Sequence, residues 1–210
     1  MKLKFILSTY LILFLFLFVN LTSAQSGKET LKKVQTKFKS INNFSADFSQ
    51  IISDPESKQG GKLFGKFYYK RKNKFIVETK NQSIISDGIT VWNYNSRQKK
   101  VIISALNDES TSFSLERYIF DYPALCNIKF AGIDGKEEVI ELISKDNNNI
   151  EFKSAKIWKT SDDMISKMEI VDLSDAKYLL KLNNIKTDQD MPDSKFTYTP
   201  SKGIKVIDIR

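Results

Sequence analysis

From Phe44 onward the chain repeats one pattern: a short stretch of alternating apolar and polar residues, then a turn former. Phe44, Ala46 and Phe48 interleave with Ser45, Asp47 and Ser49. In an extended strand those two sets point to opposite faces, so one face is buried and the other wet. Similar stretches run through residues 62–69, 74–79, 83–86, 89–94 and 99–105, then 127–131, 138–144, 150–159, 164–172 and 177–187. Shorter segments at 195–199 and 204–208 close the chain. Asn73, Asn81, Gly88 and Asn95 mark turns in the first half, and Gly135, Asn147, Asp163 and Asp175 in the second. Connections this tight make neighbouring strands antiparallel. So many strands exceed a single flat layer, and the pattern predicts a mainly β (α+β) fold, an incomplete antiparallel barrel.

Two segments break the period. Ser26 to Glu29 reads as a capping box, and Leu31, Val34, Phe38 and Ile41 follow at helical spacing. Later, Leu115, Tyr118, Ile119, Tyr122 and Cys126 form an apolar stripe that Pro123 should kink or split. Helices in an α+β fold cover one face of the sheet, so these two are expected to form a lid on the concave side. A curled sheet under a lid encloses either a packed core or a hydrophobic cavity. Inward Phe44, Phe48, Phe67 and Phe75 fit both readings.

The strand ending in "GKFYYKRKNKF" puts Phe67, Tyr69 and Arg71 on one face. A guanidinium is costly to desolvate without a partner. Either the strand ends there and Arg71 snorkels at the surface, or that face lines something that needs a charge at its rim.

The first residues fit an export signal: Lys2 and Lys4, an apolar run from Phe5 to Val19, then Thr22-Ser23-Ala24. The run is shorter than the ~20 residues of a spanning helix, so residues 1–24 are expected to be removed near Ala24/Gln25. One domain, residues 25–210, then remains, and its location is expected to be periplasmic. Cys126 is the only cysteine, so no intramolecular disulfide forms, and a small buried thiol is its expected role. The net charge is +8 with acids mixed among the bases, which reads as a solvated basic surface rather than a nucleic-acid site. An anionic membrane or partner also suits that charge.

The sequence contains no histidine, which removes Ser-His-Asp and Cys-His catalysis. Neither nucleotide-binding glycine motif is present; "GGKLFG" at Gly60 to Gly65 has the wrong spacing for both. The carboxylate pairs Glu137-Glu138, Asp162-Asp163 and Asp188 with Asp190 lie in or beside expected turns. No enzyme activity, cofactor or metal is expected, with a carboxylate-based hydrolase as the enzyme alternative.

"FSADFSQ", "GKFYYKRKNKF", "IISDGITVWNYN" and "KFTYTPSKGIKVID" occur in that order across the mature chain. Together they resemble the LolA family, periplasmic carriers of outer-membrane lipoproteins. The resemblance implies an incomplete barrel closed by helices, no catalysis and a monomer. It also implies three kinds of partner: acylated lipoproteins, an inner-membrane lipoprotein-releasing transporter and, where one exists, an outer-membrane receptor. Phe44, Phe48, Phe67, Tyr69 and Phe75 would line its cavity. Phe113 would match an aromatic on the lid, although "TSFSLE" lacks the family's neighbouring proline. Val77 stands where the family has an aromatic. Arg71 matches the family's functional arginine and would gate release. A lipid-anchored receptor of the same architecture, or another secreted lipid binder, are the alternative readings; the missing cysteine after the signal disfavours the receptor.

Overall fold

The computed structural model describes residues 26–54, 60–106, 113–145 and 150–210. The expected signal peptide and its cleavage point lie outside them. Residues 26–40 form one helix, α1. Twelve strands follow: β1 (Asn43–Ser53), β2 (Gly61–Lys70), β3 (Lys74–Glu78), β4 (Gln82–Asp87), β5 (Thr90–Asn95), β6 (Lys100–Ala105), β7 (Cys126–Asp134), β8 (Glu137–Ser144), β9 (Phe152–Lys159), β10 (Ile165–Asp172), β11 (Lys177–Thr187) and β12 (Lys205–Asp208).

All twelve belong to one sheet, in the order β12-β6-β5-β4-β3-β2-β1-β11-β10-β9-β8-β7. Two antiparallel meanders are joined where β1 pairs with β11, Phe48 opposite Leu182. Among the described residues the one parallel pair is β12 on β6, with Val206 opposite Val101. The turns are where the sequence puts Asn, Asp and Gly: Asn73, Gly88, Gly135, Asp163 and Asp175 all take positive φ.

The expected barrel is not formed. β7 and β12 are the two ends of an open sheet and do not pair. Each end has a local reason to stop. β7 is bulged between Phe130 and Gly132, and Gly132 has φ +112°. α1 comes so close to β7 that a Cβ on Gly27 would lie 2.6 Å from the Lys129 carbonyl carbon. β12 is only four residues long and carries Lys205 and Asp208, the usual blunting of an edge.

The expected lid also takes another form. Past Phe113 the chain makes a single-turn π-helix (Arg117–Asp121) that passes into a 3-10 turn (Tyr122–Leu125). Pro123 stands at the start of that second turn, the split its missing N–H imposes. Asn107 to Thr111, expected as a polar lead-in, fall outside the described residues.

One face of the sheet carries the main core. α1 contributes Leu31, Val34 and Phe38, Ile41 follows just past its end, and the covering segment contributes Phe113, Leu115, Tyr118 and Ile119. They pack on inward residues of both meanders, from Val91 to Met168 and Leu182. The opposite face has a small second core of Ile76, Ile85, Met191 and Phe196. There a 3-10 turn, Asp193–Phe196, replaces the expected strand at 195–199. Lys70 and Lys74 pin that turn through Asp193, at 2.6 and 2.7 Å.

Candidate functional site

Strand alternation builds the site. Phe44 and Phe48 on β1, Phe67 and Tyr69 on β2, and Phe75 and Val77 on β3 all face the main core, none more than 3 % exposed. Cross-strand register sets Phe44 beside Tyr69 and Ala46 beside Phe67. The rings form a continuous layer. Phe44 lies 5.0 Å from Tyr69 and 5.7 Å from Phe67, centroid to centroid. Phe38 of α1 meets Phe44 and Tyr69 edge-on, at 6.0 and 5.5 Å. Phe113 closes over the other end, 5.5 Å from Phe48 and 6.2 Å from Phe67. The structure therefore brings all seven aromatic and aliphatic candidates into one layer.

Gly65 makes room for it. It faces Phe48 across the β1–β2 ladder, and a Cβ there would lie 1.7 Å from the Glu78 carbonyl oxygen and 2.9 Å from the Phe48 ring. Only glycine permits that approach of β2 to β3 under the ring.

The layer is filled rather than hollow, which corrects the expected cavity. A cleft of about 500 Å³ lies where the covering segment meets the start of β9 and the β10–β11 turn. Phe113, Tyr118, Phe152 and Ile170 form its apolar wall, with Gln50, Glu151 and Asp172 among its polar residues. A groove of about 840 Å³ lies on the opposite face between β1, β2, β11 and the segment at Gln189–Lys195. Asp47, Lys66, Lys186 and Lys195 line it together with Tyr68, Ile185 and Met191, a mixed polar and apolar surface.

Two polar contacts hold the covering elements to the β2–β3 turn. Arg71 is exposed at the strand end. Its Nη1 donates to the Lys39 carbonyl near the end of α1 at 3.2 Å, and Nη2 donates to Asn42 Oδ1. Arg71 therefore lies at the surface and bonds a carbonyl of α1. The second contact is Glu116. Its carboxylate accepts from the Tyr69 hydroxyl at 2.6 Å, from the Lys72 amide at 3.2 Å and from the Asn73 amide. Burial, then the Glu116 charge, push the Tyr69 phenol up, so it stays a donor.

Sequence reasoning missed Glu116. It lies more than forty residues from the turn it caps, and no local period marks it. Phe152, inside the expected strand 150–159 but not singled out there, packs against Tyr118 and Tyr122 at 5.5 and 5.1 Å. Cys126 is buried, and burial pushes its thiol up to about 11, as suits a packing residue. Among the described residues no three His, Cys, Asp or Glu side chains converge as metal ligands. None of the described helices is long and apolar enough to cross a membrane.

The family model of the outer membrane lipoprotein carrier protein LolA matches residues 39–199. The chain belongs to the LolA family. An outer-membrane lipoprotein carrier protein of Francisella tularensis subsp. novicida is 23 % identical over 210 residues, covering 94 % of this chain and 96 % of that protein. An uncharacterized protein of Methanocaldococcus jannaschii is 26 % identical over 216 residues; the match covers 94 % of this chain but only 60 % of that longer relative. Among solved structures, a LolA superfamily protein from Nitrosomonas europaea aligns with TM-score 0.45 at 15 % identity, over 84 % of this chain and 98 % of that one. A structure from Desulfovibrio piger aligns with TM-score 0.49 at 9 % identity, over 84 % of this chain and 98 % of that one.

Proposed function

We propose that this protein is an exported, periplasmic carrier that shields the acyl chains of lipoproteins between the inner and outer membranes. The observation that carries the reading is the aromatic layer of Phe44, Phe48, Phe67 and Phe113. It is covered by short helical segments that polar contacts hold at the rim. Membership of the LolA family supports the same cargo.

The physical problem is release. Moving an acyl chain into water costs about 0.8 kcal/mol per methylene, so three long chains cost tens of kcal/mol. A carrier that matched them too well could not let go. Here the empty layer is satisfied by its own rings, and the cleft of about 500 Å³ is small beside such a cargo. Loading therefore requires α1 and the covering segment to separate from the sheet, at the expense of the Arg71 and Glu116 contacts. Those contacts favour the empty state and hold affinity at an intermediate value, which makes Arg71 a release element. Donor and acceptor are an inner-membrane lipoprotein-releasing transporter and an outer-membrane receptor or the membrane itself. The protein acts as a monomer without catalysis or cofactor.

The test is mass spectrometry of the protein purified from its native envelope without denaturation. A stoichiometric acylated lipoprotein is the expected co-purifying species. Free lipid would favour a general lipid binder, and an empty protein after native purification from lipoprotein-rich cells would overturn the reading.

A further inference from the structure

The outward face of α1 carries charge that the apolar layer does not use. Over residues 26–40 the helix has five lysines, Lys28, Lys32, Lys33, Lys37 and Lys39, against the single acid Glu29. Lys28, Lys32 and Lys39 share one stripe opposite the buried Val34 and Phe38, and all three are exposed. Lys33 is exposed too, with its Nζ 3.7 Å from Glu138, Lys39 Nζ lies 5.6 Å from the Phe120 ring, and Lys37 is half-buried on the other side of the helix.

The end of α1 leads directly into a second feature. Arg71 bonds the Lys39 carbonyl, and exposed Lys72 follows it in the turn. Gly88 packs on the Lys72 carbonyl so closely that a Cβ would lie 2.2 Å away. The next residue, Ile89, is 78 % exposed. Ile209, 62 % exposed, is held on the neighbouring strand end by its amide bond to Ile103, and Arg210 reaches Thr90. The C-terminal end of the lysine-rich helix and Lys72 thus share one rim of the sheet with two protruding isoleucines.

The geometry points to this rim as a docking surface for an anionic phospholipid bilayer. Lysines attract anionic headgroups within a Debye length, and apolar side chains beside them enter the interfacial layer. A partner bound by charge alone would leave Ile89 and Ile209 in water. Docking through α1 sets one of the elements that cover the apolar layer against the membrane. The surface does not depend on the identity of the cargo, and its failure would leave the carrier reading unaffected.

The experiment is vesicle co-sedimentation of the protein purified after export from cells expressing the full chain. Vesicles are phosphatidylcholine alone, or with about one third phosphatidylglycerol. Binding is expected only to the anionic vesicles and is expected to weaken as salt rises. Lys28→Gln, Lys32→Gln and Lys39→Gln together should weaken it roughly a hundredfold, about fivefold (about 1 kcal/mol) per lysine. These positions leave the buried face of α1 intact, and circular dichroism checks the fold. Lys62→Gln, Lys177→Gln and Lys181→Gln, which remove the same charge elsewhere, should leave binding within about a factor of three. Ile89→Ser with Ile209→Ser should cost about tenfold on vesicles while leaving binding to soluble polyglutamate unchanged. Absence of binding to anionic vesicles, equal loss in both lysine triples, or indifference to the isoleucines would overturn the proposal; the last would indicate an acidic protein partner instead.

Discussion

Removing the Glu116 carboxylate should loosen the covering segment, and the structure sets the size of the effect. Glu116→Ala deletes three hydrogen bonds: those from Tyr69, Lys72 and Asn73. The two amides lie in an exposed or half-buried turn and recover much of their bonding from water. The Tyr69 hydroxyl belongs to a residue only 2 % exposed and is left without its partner. A buried unsatisfied donor costs about 1–3 kcal/mol, so a total loss of about 2–3 kcal/mol is expected. Glu116→Gln keeps an acceptor and should lose about half as much. Equilibrium urea unfolding followed by circular dichroism measures the loss. A double-mutant cycle with Tyr69→Phe should return a coupling of about 1–2 kcal/mol, because each single change breaks the same bond. An environment-sensitive apolar dye should bind Glu116→Ala more readily, since the segment over Phe48 and Phe67 is less tightly held. A stability change under about 0.5 kcal/mol together with zero coupling would refute the assignment of Glu116 as a tether.

Three further outcomes follow from particular contacts. Gly65→Ala forces β2 away from the Glu78 carbonyl and the Phe48 ring, so a loss of at least about 1–3 kcal/mol is expected in a urea titration; an unchanged midpoint would contradict the close approach. Arg71→Leu removes the donors to Lys39 and Asn42 and adds apolar surface, so it should load lipoprotein yet pass it on poorly in a two-stage assay. Unchanged release with impaired loading would make Arg71 a capture residue. Lys70 and then Lys74 hold the Asp193 carboxyl down at about 2, below its ordinary value of 3.8. A lowered folded value stabilises above the unfolded one, so that contribution is present above about pH 4 and fades toward pH 2. Protection factors at Asp193–Phe196, corrected for intrinsic exchange, should therefore fall over that window in the wild type and lose that dependence in Asp193→Asn, a difference whose absence would remove the pin.

Much of the fold was legible because period and turn chemistry are local. The alternation through Phe44, Ala46 and Phe48 set the buried face, and Gly88, Gly135 and Asp175 set the turns. Closure was not legible. Whether the sheet's end strands meet depends on a bulge at Gly132 and on the approach of α1 to β7, and neither leaves a repeat in the sequence. The segment at Lys195 looked extended because Phe196 and Tyr198 alternate with polar residues. In the structure it is a 3-10 turn seated on Ile76 and Ile85, a second core visible only after folding. For the site, the aromatic layer followed from alternation and family resemblance together, whereas Glu116 acts across a long sequence separation and had no local signature. The hollow expected beneath the helices is filled, because Phe38 and Phe113 supply the rings that close it.

The central claim is that the layer beneath Phe113 receives the acyl chains of lipoproteins. A photoreactive phenylalanine analogue at position 113, activated in living cells and followed by mass spectrometry of the adducts, tests it most directly. The same analogue at position 64 is the control, because Phe64 is 64 % exposed on the opposite face. The account predicts lipoprotein adducts through their acyl chains at position 113 and none at position 64. Equal labelling at both positions, or adducts at position 113 with no acylated protein among them, would contradict it.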